Sequence, residues 1–151
     1  MSLKFCLLIV MLLTLMMSPR CGPSMPAECK DFYAKTASEQ QVVFRGYSVE
    51  RQYRIFRCGT TQRHPPDIGL AGYIADGGEK NIPFLLEKLR TEESEPVRRY
   101  IIYVFELMSE SGDLRGRHDV AAQVDQAVSK LTIPFLKEEG QESLEQIKKT
   151  L

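Results

Sequence analysis

The chain has 151 residues, 20 basic and 20 acidic side chains, 43% hydrophobic residues and no tryptophan. A formal charge of zero supplies no strong field for drawing in nucleic acid, which argues against nucleic acid as a partner. The length suits one domain with its own core and is too short for two.

The N-terminus opens with an almost unbroken apolar run from Leu3 to Met17, with Lys4 as its only charge, followed by Ser18, Pro19, Arg20 and Cys21. A spanning helix needs about 20 apolar residues, so the run fits the apolar section of an export signal instead. The expected product is an exported protein: periplasmic, secreted or a membrane-anchored lipoprotein. Two processing routes stay open. Cys21 stands where a bacterial lipoprotein signal places its lipidated cysteine, although Pro19 and Arg20 are not the small residues such signals favour. The other route is a cut after Ser24, with Gly22 and Ser24 as the small residues. The expected organisation is therefore a signal over 1–20 or 1–24, a tether over 21–26 and a single helical domain over 27–151. Contact with a membrane is expected only through the lipid anchor.

Cys6 leaves with the signal. If Cys21 is acylated, Cys29 and Cys58 remain, an even number in a compartment that permits disulfides. Bridging them closes a loop worth about 3 to 4 kcal/mol in chain entropy. There is no Cys-x-x-Cys pair and no cysteine-histidine cluster, so redox catalysis and structural zinc lose support, and no cofactor or metal is expected.

Past the tether the apolar spacing is helical throughout, and the predicted class is all-α, a small irregular bundle. Glu28–Ala37 carries Phe32 and Tyr33. Ser38 with Gln41 is read as a capping box for a helix bearing Val42, Val43 and Phe44. Ser48 is read as the cap of the next helix, with Val49, Tyr53 and Phe56 on one face and Gly59 as its stop. His64, Pro65, Pro66 and Asp67 lead into an element holding Leu70, Ala71 and Ile74, ended by Gly77 and Gly78. Gly69 and Gly72 within it cost about 1 kcal/mol each or mark close backbone approach.

Ile82, Leu85, Leu86 and Leu89 follow on one helical face beside Pro83. After a polar turn at Thr91–Glu95, in which Glu92 is expected to be exposed, Val97, Tyr100, Ile101, Val104, Phe105 and Met108 continue the spacing. Ile102, Tyr103 and Leu107 lie on its other faces, so this helix is predicted to be the central one. A helix with Val120, Val124, Ala127, Val128 and Leu131 comes next. The last one carries Leu136, Gly140, Leu144, Ile147 and Leu151, with Gly140 predicted to pack tightly on a neighbour.

Asn81-Ile82-Pro83-Phe84-Leu85 is echoed by Thr132-Ile133-Pro134-Phe135-Leu136. The span Ile82–Met108 resembles one HEAT-type helical repeat, on the strength of Pro83, the inward Leu86 and Leu89, the polar turn, and Val97 with Arg98 opening a second apolar helix. The aspartate frequent in the turn of such repeats is replaced here by Thr91, Glu92, Glu93 and Ser94. The resemblance implies stacked helical hairpins that bind other macromolecules along a surface.

Candidates for chemistry are few. His64 with Asp67 and His118 with Asp119 would make a small exported hydrolase if the two pairs converged, although no hydrolase, metal or phosphate-loop motif accompanies them. Arg45, Arg51, Arg54, Arg57 and Arg63, interleaved with Tyr47 and Tyr53, form a basic segment opposed nearby only by Glu50. This segment is the candidate binding surface, for an acidic partner, an anionic lipid or a cell-wall polymer. The function expected is an exported binding module acting on an envelope or other extracytoplasmic protein. A periplasmic inhibitor or immunity protein is one specific form of that reading.

Overall fold

The computed structural model describes residues 24–151. The apolar run 3–17, Cys6 and the lipidation candidate Cys21 lie outside the described residues. Among the described residues the chain forms eight α-helices and no strand, a small all-α bundle.

Helix α1 spans Ala27–Tyr33 and buries Cys29 and Phe32. Helix α2, Ala37–Arg45, opens on a capping box two residues earlier than the spacing suggested. Thr36, not Ser38, holds the extended N-cap backbone. Its hydroxyl accepts from Glu39 N at 3.4 Å, while the Glu39 carboxylate accepts from Thr36 N at 2.9 Å.

Helix α3 spans Val49–Gln62; Ser48 occupies its N-cap position without making a side-chain capping bond. Gly59 does not stop it, contrary to expectation. The helix runs through Gly59 because that residue is a notch: a Cβ there would lie 2.1 Å from the Tyr33 hydroxyl. The hydroxyl donates to the Ile55 carbonyl at 3.1 Å, and the Cys29 and Cys58 sulfurs stand at disulfide distance, 2.11 Å. A missing side chain, a phenol and a pair of sulfurs thus dock α1 on α3.

The loop after α3 turns back on it, with Asp67 N donating to Gly59 O at 3.0 Å. Helix α4 is short, Ala71–Ala75, and a 3-10 turn over Gly78–Asn81 follows it. Gly72 has open space where a Cβ would stand, so it marks no close approach. Gly77 does, since its Cβ would lie 1.8 Å from the Asn81 side-chain nitrogen.

Two hairpins complete the bundle: α5 (Ile82–Thr91) with α6 (Glu95–Glu110), and α7 (His118–Ser129) with α8 (Pro134–Thr150). Helix α6 packs on α8, α4, α3, α5 and α7. Val97, Ile101, Ile102, Val104, Phe105 and Met108 are all buried on it, which explains why its apolar residues spread beyond one face. The echoed segments open α5 and α8, the first helix of one hairpin and the second of the other. Gly140 packs tightly, as expected: a Cβ would come 3.0 Å from Leu131 and 3.4 Å from Val128. Glu95, in the first turn of α6, accepts from the backbone nitrogens of Thr132 and Ile133 at 2.7 and 3.0 Å, fixing the entry to α8.

Phe105 is fully buried on the helix that most others touch. Phe105→Ala is expected to lower unfolding free energy by about 3 to 5 kcal/mol in urea titration, against less than about 0.5 kcal/mol for Glu93→Ala. Comparable small losses at both positions would displace α6 from the centre.

Candidate functional site

The arginine segment is divided among three neighbours. Arg51 and Arg54, one turn apart on α3, both reach Glu28 of α1. Arg54 does so with two hydrogen bonds, at 2.7 and 3.3 Å, and Arg51 approaches to 3.9 Å. The Arg54 hydrogen bond, helped by the charges of both arginines, holds the Glu28 carboxyl below its ordinary range. Arg51 also lies over the Tyr47 ring, 3.8 Å from its centre. Arg63 stacks on Tyr33 at 4.6 Å, and Arg45 on Tyr73 at 5.0 Å with Asp76 at 4.0 Å.

Arg57 turns the other way, toward the α5–α6 turn. It donates to Glu92 at 3.0 Å, and the Tyr53 hydroxyl donates to the same carboxylate at 2.7 Å. Tyr53 is buried, so it stands beneath the candidate surface and not on it. Glu92 overturns the expectation of exposure: its side chain is only 7% exposed. The carboxylate also accepts from Ser94 N at 3.0 Å, and its backbone carbonyl accepts from Arg98. Burial alone would raise the Glu92 carboxyl; the bonds from Arg57, Tyr53 and Ser94 outweigh it and hold the group below its usual range. Burial and the adjacent Glu92 charge push the Tyr53 phenol up.

At the Arg45 end lies a cleft of about 710 Å³ between the α2–α3 junction and the turn after α4. Tyr47 and Tyr73, both half-buried, are in its lining, with Arg45 and Lys80 as cations and Glu50 and Asp76 as anions. Two buried primary amides, Gln52 and Asn81, also line it. Gln52 Nε2 donates to Phe44 O and Asn81 Nδ2 to Ile74 O, each at 2.9 Å. Each bond uses one of the two N–H groups of its amide, so each amide keeps a second N–H and a carbonyl oxygen for further bonding. Sequence spacing could not single out Asp76, Lys80 or Asn81, because they belong to a turn far along the chain from α2. Gly77 was the one available signal, a glycine beside a polar residue that occupies its missing Cβ.

His64 and His118 are both exposed. Asp67 accepts from Gly69 N at 3.2 Å, and Asp119 is held by two bonds from Arg117 at 2.9 Å. The carboxylates that would orient the imidazoles are therefore engaged locally. Among the described residues no group of three or more histidine, cysteine, aspartate or glutamate side chains is placed to hold a metal ion. No described helix is long and apolar enough to cross a membrane. The chain matches no protein-family model, no curated protein and no solved structure.

Because the folded Glu92 carboxyl lies below its ordinary value of 4.5, its contribution is complete above the unfolded pKa and is lost as pH falls through the folded one. Glu92→Gln is expected to cost about 1 to 3 kcal/mol at pH 7, with the gap from wild type narrowing as pH drops from about 5 to 3. Thermal melts of both proteins across that range check it. A gap independent of pH would mean the carboxylate charge contributes nothing there.

Proposed function

We propose that the chain is an exported helical binding module that acts by protein–protein contact, with Arg45, Tyr47, Arg51 and Arg54 as its contact surface. The observation that carries this reading is how those arginines are held. Each is roughly half exposed yet already positioned by a carboxylate or a tyrosine ring. A guanidinium ordered in advance loses less freedom when it meets a partner's carboxylate, and arginine and tyrosine are enriched where binding energy concentrates. Two helical hairpins side by side suit a HEAT-like surface role. An inhibitor or immunity protein would be a special case of it. The hydrolase reading has less support, since Asp67 and Asp119 are held by Gly69 N and Arg117 and not by either imidazole.

Export is part of the same proposal, supported by the Cys29–Cys58 sulfur distance, because such bonds persist in oxidising compartments. Intact mass of protein purified without reductant from the envelope of a bacterial host is expected to show loss of the signal and two hydrogens fewer than the dithiol. An acyl mass on a chain beginning at Cys21 selects the lipoprotein route; a chain beginning at Met25 selects the other. Full-length reduced protein confined to the cytoplasm would defeat the export proposal.

The contact surface is tested by Arg51→Gln with Arg54→Gln. Glutamate would be a poor choice at these positions, since it would face Glu28 and unseat α1. Co-purification of partners cross-linked in the envelope is expected to fall about tenfold, the loss of one to two desolvated charge contacts, while circular dichroism stays unchanged. Undiminished capture by the folded double variant would reduce the segment to a solvated face.

A further inference from the structure

We infer that the cleft between the α2–α3 junction and the turn after α4 is a binding site for a neutral saccharide, a second ligand beside the proposed protein partner, with Arg45 and Tyr47 at the border the two would share. Its volume, about 710 Å³, falls among small-ligand sites rather than extended docking faces. The charge of its lining cancels: Arg45 and Lys80 stand against Glu50 and Asp76. A nucleotide, an anionic headgroup or an acidic peptide would meet as much repulsion as attraction there. A neutral ligand rich in hydroxyls would use all four groups, since each hydroxyl both donates and accepts.

The amide pair sharpens that selection. Gln52 and Asn81 are 7% and 5% exposed and are locked by their nitrogens onto the Phe44 and Ile74 carbonyls. Held by one bond each, they keep a donor and an acceptor that need little reordering when a hydroxyl, itself both donor and acceptor, arrives. The Asn81 amide holds its place only because Gly77 lacks a side chain, as a Cβ would come 1.8 Å from its nitrogen. Tyr47 and Tyr73 complete the lining, each steadied by an arginine at 3.8 and 5.0 Å from its ring centre. With a guanidinium over each ring and phenylalanines packed beside it, the tyrosines would meet a sugar through their hydroxyls and ring edges and not through a bare stacking face.

The test is saturation-transfer NMR, followed by calorimetry, of the 24–151 domain within the full exported protein. The panel contains neutral and N-acetylated oligosaccharides of two to four units, the corresponding insoluble polymers, sulfated and carboxylated analogues, and mixed-charge pentapeptides. Free sugars and polymers appear together so that a diffusible ligand and a chain end are told apart. Neutral saccharides are expected to bind, and Asp76→Ala with Lys80→Ala, both at exposed positions, should weaken them at least tenfold. Lys149→Ala, at the far end of α8, should leave them unchanged. Gly77→Ala should abolish binding by displacing Asn81; if it does not fold, the Asp76 and Lys80 double variant decides alone. Failure of every neutral saccharide, binding that survives the double variant, or tighter binding of anionic sugars or peptides would each overturn the inference. Partner capture through Arg51 and Arg54 is measured separately, so a cleft without sugar affinity leaves the protein-binding proposal standing.

Discussion

The bundle depends on one helix being apolar on nearly every side. With Ile101, Ile102, Val104, Phe105 and Met108 all buried, α6 has no face to give to water, and five other helices must cover it. That requirement sets the rest of the arrangement. Helix α8 makes its most extensive contact with α6, and it is also pressed onto α7, where Gly140 leaves room for Val128 and for Leu131 just beyond that helix. The short α4 can be fully seated despite being little more than a turn long, because Ala71 and Ile74 have α6 to bury against. An isolated helix of that length would not persist in water.

Hydrophobic burial is non-directional, and the polar contacts supply the register it lacks. Carboxylates do most of this across long separations in sequence. Glu28 ties α1 to α3, Glu92 ties the α5–α6 turn to α3, Glu95 ties α6 to the entry of α8, and Glu106 accepts from Ser143 between α6 and α8. Each connects an apolar contact already made to one particular alignment. Glu92 is the most exacting, because a buried carboxylate is costly unless its donors are all present. Removing the Tyr53 hydroxyl or Arg57 would leave a largely covered charge with fewer donors than it now has.

This division explains what the sequence could disclose. Period and capping chemistry are local, so helix existence, the central place of α6 and the tight seat of Gly140 were all legible. The capping box sits at Thr36 and not at Ser38 because two hydroxyl residues two positions apart, each followed three residues on by Glu39 or Gln41, offer nearly the same pattern, and only backbone geometry distinguishes them. Gly59 misled for a different reason. A glycine late in a helical pattern ordinarily ends it, yet here its absent side chain admits Tyr33 from a helix more than twenty residues earlier. Glu92 looked solvated because its partners sit on α3, and a turn rich in charge gives no sign of which member is covered.

The arginine segment shows the same limit most clearly. As a string, Arg45 to Arg63 presents unopposed positive charge, with Glu50 the only nearby acid. In space further opposing charge arrives from Glu28, Asp76 and Glu92, so that with Glu50 four carboxylates stand near the five arginines and most of the charge is offset, although Arg51 and Arg54 share Glu28 and, among the described residues, Arg63 meets only the Tyr33 ring. A surface of this kind does not attract partners over distance, since paired charges cancel within about a Debye length, roughly 8 Å at physiological salt. Under the binding proposal, selection would fall at contact instead. A partner must supply a carboxylate or hydroxyl that competes with one already in place, and geometry rather than net charge then decides what binds. That condition weighs against bulk polyanions, and it favours ligands whose donors and acceptors match guanidinium, carboxylate and amide one for one.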